Sequence, residues 1–254
     1  PTTTETTSAP PATETTKKET TTKAATTKTS TTKASSERAA SAPAPDSPEA
    51  ILNSAVLHPQ YTNDEWLDMQ VQSIFSVILK DSMSTYEKVV ACYNYMIDTS
   101  EYGHMTMFVN PSDFSRYVNE EDAKTVLFAK SILSNGKGVC DDYAALFLVL
   151  TRAIGLDCYY TTGYTTNTKG EKKAHSWNTI TVNGKDYIFD VQVEDNQSDY
   201  GIKYTFFCKE YDSPISKVYS GYDLESSKKS YGGFRLVDPS EVKTTQSADS
   251  IFTF

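Results

Sequence analysis

Apolar residues return every three or four positions from Tyr61 to Leu79 and from Thr85 to Ile97, the second stretch placing Tyr86, Val89, Val90, Tyr93 and Ile97 along one face. Both stretches are predicted helices. A third runs from Ala123 to Leu133 and leads into the turn signal Asn135-Gly136. From Asp141 to Ile154 the positions Tyr143, Ala144, Phe147, Leu148, Thr151 and Ile154 keep close to helical period, and Gly155 stands where a helix end favours a left-handed residue. Beyond it the apolar residues gather in short runs. Strands are expected at Leu156 to Tyr164, His175 to Val182, Tyr187 to Val193 and Tyr204 to Cys208, with a weaker one at Phe234 to Val237. Helices followed by strands predict an α+β fold, an antiparallel sheet packed on the helix that starts near Cys140.

One hairpin can be given a register. Asn183-Gly184 between two apolar-rich runs predicts a two-residue type I′ turn. Around it Val182 opposes Lys185, Trp177 opposes Asp190 and His175 opposes Gln192. His175 and Asp190 then share one face as diagonal neighbours, roughly 7–8 Å apart by backbone and closer at their tips. A slip of one residue would put them on opposite faces.

Composition divides the chain. Residues 1–50 contain no aromatic residue and no Val, Ile, Leu or Met. Such a segment cannot bury enough apolar surface to offset its ordering entropy, so 1–50 is expected to be a disordered Thr/Ser/Pro-rich linker. A single folded domain is expected over 51–240, with a tail over 241–254 that is polar until Ile251-Phe252. Six of the 24 basic and six of the 33 acidic residues lie in the first fifty, which leaves 18 basic and 27 acidic residues and assigns the net charge of −9 to the folded part. An acidic globule without a basic stripe repels phosphate backbones, which argues against a nucleic-acid partner. No apolar stretch approaches the ~20 residues of a membrane span. No signal peptide is visible at Pro1, and the lack of an initial Met is what a removed leader would leave.

Three segments carry candidate chemistry: GKGVCDDYAALFLVLTRAIGL, AHSWNTITV and DYIFDV. They supply a cysteine at a helix start, a histidine opening a strand and an aspartate on the next strand. Those are the parts of a thiol nucleophile, its base and an orienting carboxylate. Gly136 and Gly138 permit a tight, open approach to Cys140. Unpaired N–H groups and the positive end of the dipole at a helix N-terminus favour thiolate over thiol, and one N–H is available to a developing oxyanion. Asp141 and Asp142 read as first-turn acids that complement the dipole. His58 and His104 read as ordinary surface or loop residues. Cys92, Cys158 and Cys208 match no zinc or disulfide spacing and are expected as buried small hydrophobes.

The pattern G-V-C-x-x-Y-A, an apolar helix, R-A-x-G-L, a strand with a late Gly-Tyr, then H-x-W-N and a closing D resembles the transglutaminase-like superfamily of papain-type fold. The resemblance covers Tyr86 to Cys208 and puts Cys140, His175 and Asp190 on the family's catalytic positions. The family's common H-A-W stands here as His175-Ser176-Trp177. It implies a papain-like transglutaminase core over 51–240 and acyl transfer through a thioester on amide bonds of peptides or proteins. Family members include cross-linking enzymes, peptidases, amidases and inactive binding modules. Peptidase or amidase hydrolysis is the expected reaction, because water is always present while cross-linking needs a groove that excludes it. A protein-glutamine transglutaminase is the first alternative. An inactive surface peptide-binding or adhesion module is the second, and the intact Cys/His/Asp set argues against it.

By analogy with the family, Tyr102 in TSEYG is the candidate second oxyanion donor. Trp177 is expected to wall the His–Asp hydrogen bond from water. No metal or organic cofactor is called for; the acid clusters Glu194-Asp195 and Glu120-Glu121-Asp122 lack the spacing of a calcium loop and are expected at the solvated surface. A Thr/Ser/Pro-rich tether ahead of the domain fits an exported bacterial protein held at the cell surface. Cell-wall or surface-associated peptides are then the expected substrates.

Overall fold

The computed structural model describes residues 43–104, 121–229 and 234–237. In chain order the elements are α1 (Pro48–Asn53), β1 (Gln60–Tyr61), α2 (Glu65–Ile78), α3 (Thr85–Thr99), β2 (Glu101–Tyr102), α4 (Glu121–Asn135), β3 (Lys137–Gly138) and α5 (Cys140–Ile154). There follow β4 (Asp157–Thr166), β5 (Lys172–Val182), β6 (Lys185–Phe189), α6 (Val191–Asp195), β7 (Lys209–Glu210), β8 (Tyr219–Ser220), α7 (Leu224–Lys229) and β9 (Arg235–Leu236). The α+β expectation holds, and five strands form one antiparallel sheet in the order β7-β6-β5-β4-β8.

Polar caps decide where the helices start. Ser47 accepts the N–H of Ala50, and Pro48 sits in the first turn, where its missing N–H leaves nothing unpaired. Helix α1 therefore opens three residues inside the expected linker. Residues 1–42 of that linker, like the tail 241–254, lie outside the described residues. The helix expected from Tyr61 begins four residues later, because Asp64 caps it through Leu67 N–H at 2.9 Å. Tyr61 instead joins β1, paired antiparallel with β9. Ser84 and Glu87 close a reciprocal capping box on α3.

Two strand expectations are corrected. The run Tyr187 to Val193 is a strand only to Phe189, after which Val191–Asp195 is helical, because the Asp190 carboxylate accepts the N–H of Val193 and caps α6. The run Tyr204 to Cys208 is a turn rather than a strand, with positive φ at Tyr204 (55°) and Cys208 (53°). Its N–H groups are diverted from a ladder: Glu194 accepts those of Lys203 and Phe206 at 3.0 and 2.9 Å. Glu194, expected at the solvated surface, is thus buried, and Asp195 is half-buried against the hydroxyl of Tyr143. The side chains of Glu120, Glu121 and Asp122 lie outside the described residues.

Helix α5 is the centre of the core. It is buried on every side from Asp142 to Ile154, with β4 and β5 against it on the sheet side and α3 and α4 packed around the rest. Tyr93, Phe147, Phe189 and Phe207 interlock beside it with ring centroids 4.9–5.7 Å apart. The other sheet face carries a second cluster of Trp177, Ile188, Phe206 and Tyr219, as strand alternation requires of a sheet covered on both sides. Cys92, Cys158 and Cys208 are buried free thiols, and burial pushes the last two up to about 12. No helix among the described residues is long and apolar enough to cross a membrane.

Helix α5 ends at Gly155 with φ +115°, its N–H bonded to the carbonyls of Thr151 and Arg152. A Cβ there would lie 2.8 Å from the backbone nitrogen of His58 and 2.9 Å from Leu57 Cβ. Gly170 also has positive φ (+81°) but meets nothing within 4 Å. Gly155→Ala should therefore cost upward of about 2 kcal/mol and Gly170→Ala only about 1 kcal/mol, measured by urea unfolding. Equal losses would show that the packing of residues 57–59 on Gly155 contributes nothing.

Candidate active site

Cys140 opens α5 because the preceding chain is pinned. Strand β3 pairs in parallel with β2, Glu101 opposite Lys137 and Tyr102 opposite Gly138, and Gly103 N–H bonds the Gly138 carbonyl at 2.9 Å. The Asp142 carboxylate folds back to accept Val139 N–H at 2.8 Å, taking one of the orphan donors of the helix start. That return passes so close to Gly138 that a Cβ on it would lie 2.6 Å from Asp142 Cβ. Burial pushes the Asp142 carboxyl up to about 6, against the pull of the Val139 N–H. Asp141 accepts the hydroxyls of Tyr160 and Ser176, the latter at 2.5 Å. Both first-turn acids are thereby occupied, and Cys140 is the one cysteine of the four that is not buried.

His175 meets Asp190 directly, Nε2 to Oδ2 at 2.7 Å, and both are nearly buried, at 7 % and 1 % exposure. Cys140 lies near enough to the same imidazole to help it hold its proton. With Nε2 committed to Asp190, Nδ1 is the nitrogen left for the sulfur. Burial resists a charge on the ring, but the Asp190 carboxylate, which accepts its Nε2–H, and the nearby Cys140 outweigh it and push His175 up to about 10.

The route to this contact differs from a simple hairpin. The turn is as expected, with φ of 51° at Asn183 and 78° at Gly184, and the register Val182 to Lys185 holds. The ladder stops at Asn178 opposite Phe189, so Trp177 has no partner at Asp190 and His175 none at Gln192. Asp190 reaches the histidine as the cap of α6. Its Oδ1 takes Val193 N–H at 3.1 Å, its own N–H bonds the Phe206 carbonyl at 2.9 Å, and its carbonyl accepts the Tyr93 hydroxyl at 3.1 Å.

Trp177 is 1 % exposed, its ring 6.1 Å from that of His175 and inclined at 20°, with Nε1 donating to Tyr211 at 2.9 Å. Tyr102 stands opposite Gly138, two residues from the cysteine, with a 45 % exposed side chain. No local pattern marks Tyr219, whose hydroxyl donates to Asp190 Oδ2 at 2.7 Å from a strand 29 residues away. The Tyr160–Asp141–Ser176 group was equally unmarked, though the serine in His-Ser-Trp was a visible departure. Beside this group opens a cleft of about 480 Å³ lined by Lys124, Asp141, Tyr160, Thr162, Asp223 and Ser226. Among the described residues no group of three His, Cys, Asp or Glu side chains is arranged to hold a metal ion.

Residues 74–190 match the model of the transglutaminase-like superfamily. The chain is similar to a candidate cysteine protease from Cytophaga hutchinsonii at 20 % identity over 51 % of this chain and 39 % of that one, with a TM-score of 0.35. It is similar to a TGase at 17 % identity over 51 % of this chain and 31 % of that one, TM-score 0.32. An arylamine N-acetyltransferase from Bacillus cereus with a Cys-His-Glu triad shares 14 % identity over 71 % of this chain and 74 % of its own, TM-score 0.37. The chain thus spans roughly two fifths and one third of the lengths of the first two. No curated protein sequence matches it.

A histidine raised from 6.5 to about 10 binds its proton more tightly folded than unfolded. Its contribution to stability is fully present below 6.5 and is lost as pH rises through about 10. The urea midpoint of the wild type should fall relative to that of His175→Asn across this window. Parallel profiles for the two proteins would deny His175 a proton-linked bond in the folded state.

Proposed function

We propose, from the transglutaminase-like core that residues 74–190 form, that this chain is a thiol enzyme in which Cys140, His175 and Asp190 hydrolyse amide bonds of peptides or proteins. The observation that carries the reading is one buried imidazole hydrogen-bonded through Nε2 to a carboxylate, with Cys140 at the start of α5 near enough to influence its proton. His175, which binds its proton up to about pH 10, carries the proton that the thiol gives up, so that the sulfur attacks from a thiolate–imidazolium pair. The sulfur attacks the amide carbonyl, an S–C bond forms, and the oxygen takes the negative charge beside the N–H groups at the start of α5. The imidazolium gives its proton to the departing nitrogen as the C–N bond breaks and leaves a thioester. Water then adds, His175 accepting its proton, and the S–C bond breaks with the proton returned to sulfur. Asp190 holds the ring with Nε2–H toward itself throughout and stabilises the charged imidazole.

The cleft is lined by Asp141, the residue after Cys140, and its hydroxyls and charges suit a polar peptide segment. The Thr/Ser/Pro-rich first fifty residues support a tethered, exported enzyme acting on surface-associated peptides.

Intact-mass spectrometry tests the reaction. Wild type and Cys140→Ala are incubated with a glutamine-containing protein mixture, with and without a primary amine probe. Cleavage or deamidation that requires Cys140, reduced about a thousandfold in His175→Ala, is expected. Amine incorporation that requires Cys140 would replace hydrolysis by cross-linking. No change dependent on Cys140, together with a thiol that resists iodoacetamide, would sink the enzyme reading.

A further inference from the structure

We infer that Tyr219 is a positioning residue for the proposed triad: its hydroxyl shares Asp190 Oδ2 with His175 and keeps the imidazolium proton transferable. The inference rests on the site assignment proposed above and extends the site beyond residues 74–190, where the family match ends.

The geometry is specific. Oδ2 receives His175 Nε2 and Tyr219 Oη, each at 2.7 Å, while Oδ1 is held by Val193 N–H at 3.1 Å. Tyr219 is 5 % exposed, with its ring 4.8 Å from Trp177 and 6.5 Å from His175. Its backbone is set by pairing with Thr165 in β4, a neighbour of β5, so the hydroxyl arrives from the sheet that carries the histidine. Among the described residues the other groups facing the pair are few. Cys140 from α5 faces the imidazole, Tyr93 from α3 donates to the Asp190 carbonyl, Tyr211 and Tyr222 lie behind Trp177, and Glu194 of α6 is turned onto Lys203 and Phe206.

Two donors on one oxygen compete for its charge. The Tyr219 bond is stronger while His175 is neutral and the carboxylate charge unshared, and weaker once the imidazolium neutralises that charge. The hydroxyl therefore favours the neutral imidazole relative to the charged one. Without it the carboxylate would hold the ring proton harder and slow its delivery to the departing nitrogen. Tyr219 keeps its own proton, since burial and the adjacent Asp190 raise it well above the ordinary range.

The chain has three histidines, so the titration of His175 can be followed by NMR of 15N-histidine-labelled protein without any amide substrate. Tyr219→Phe keeps the ring and removes the hydroxyl. The His175 midpoint is expected to rise by about half a unit to one unit, and kcat to fall roughly threefold to tenfold at unchanged KM. Tyr211→Phe, which alters the same aromatic cluster but no bond to Asp190, should leave the midpoint in place. Replacing Tyr219 by 3-fluorotyrosine, a stronger donor of the same shape, should lower the midpoint and tests the inference even if the Phe variant folds poorly. A midpoint that stays or falls in Tyr219→Phe, or that fluorination leaves unmoved, would overturn the role. Failure to find amide turnover would count against the proposed reaction alone, because the titration does not depend on it.

Discussion

Asp190 is a carboxylate at 1 % exposure, and a buried negative charge survives only where donors replace the water it has lost. Three do so here: the imidazole of His175, the hydroxyl of Tyr219 and the N–H of Val193. Each comes from a different element, β5, β8 and α6. The backbone of the same residue is tied to Phe206 and to Tyr93 on α3. Much of the domain's connectivity past Gly184 can be read as bringing those donors to one oxygen pair. Strand β6 stops to release Asp190 from the ladder, α6 starts on its side chain, and the chain from 202 to 208 bends so that Phe206 can meet its N–H.

The start of α5 presents the complementary problem. A helix buried on every side cannot lend its first N–H groups to water, so Asp142 takes one of them and Gly138 leaves room for the return. Two acids so close to the sulfur, Asp141 and Asp142, would raise the cost of a negative charge there. The fold answers by giving Asp141 two hydroxyl donors, from Tyr160 and Ser176, so that its charge is spread away from the thiol. The departure from His-Ala-Trp to His-Ser-Trp has a physical sense in this setting: the serine side chain points to the opposite face of β5 from His175 and meets the acid beside the cysteine.

Local chemistry was legible where it is encoded by adjacent residues. The Asn183-Gly184 turn requires two positive φ values and two residues that tolerate them, and it set the register of β5 and β6 as far as Asn178 and Phe189. The helix from Cys140 and its end at Gly155 follow from periodicity and a left-handed stop. The strand ending at Phe189 was not legible, because Val191 and Val193 carry strand propensity and only the tertiary environment makes Asp190 a cap. Tyr204 to Cys208 failed as a strand for a related reason: its aromatic run is spent on packing against Tyr93 and Phe189, while its N–H groups go to Glu194. Tyr219 had no local signature at all, since one tyrosine among 17 is marked only by what it touches.

This asymmetry has a consequence for how the domain divides labour. The residues that would react lie within 74–190, the stretch that matches the superfamily. The groups that hold them lie partly outside it: Glu194 and Phe206 fix the end of the strand that delivers Asp190, and Tyr219 fixes its carboxylate. A nucleophile and its base are fixed by the chemistry they would perform, whereas a hydrogen bond to Asp190 can be supplied from any strand that reaches it. The segment after 190 therefore helps hold Asp190 in place, while the proton on the imidazole is held by Asp190 and Cys140 within the matched stretch.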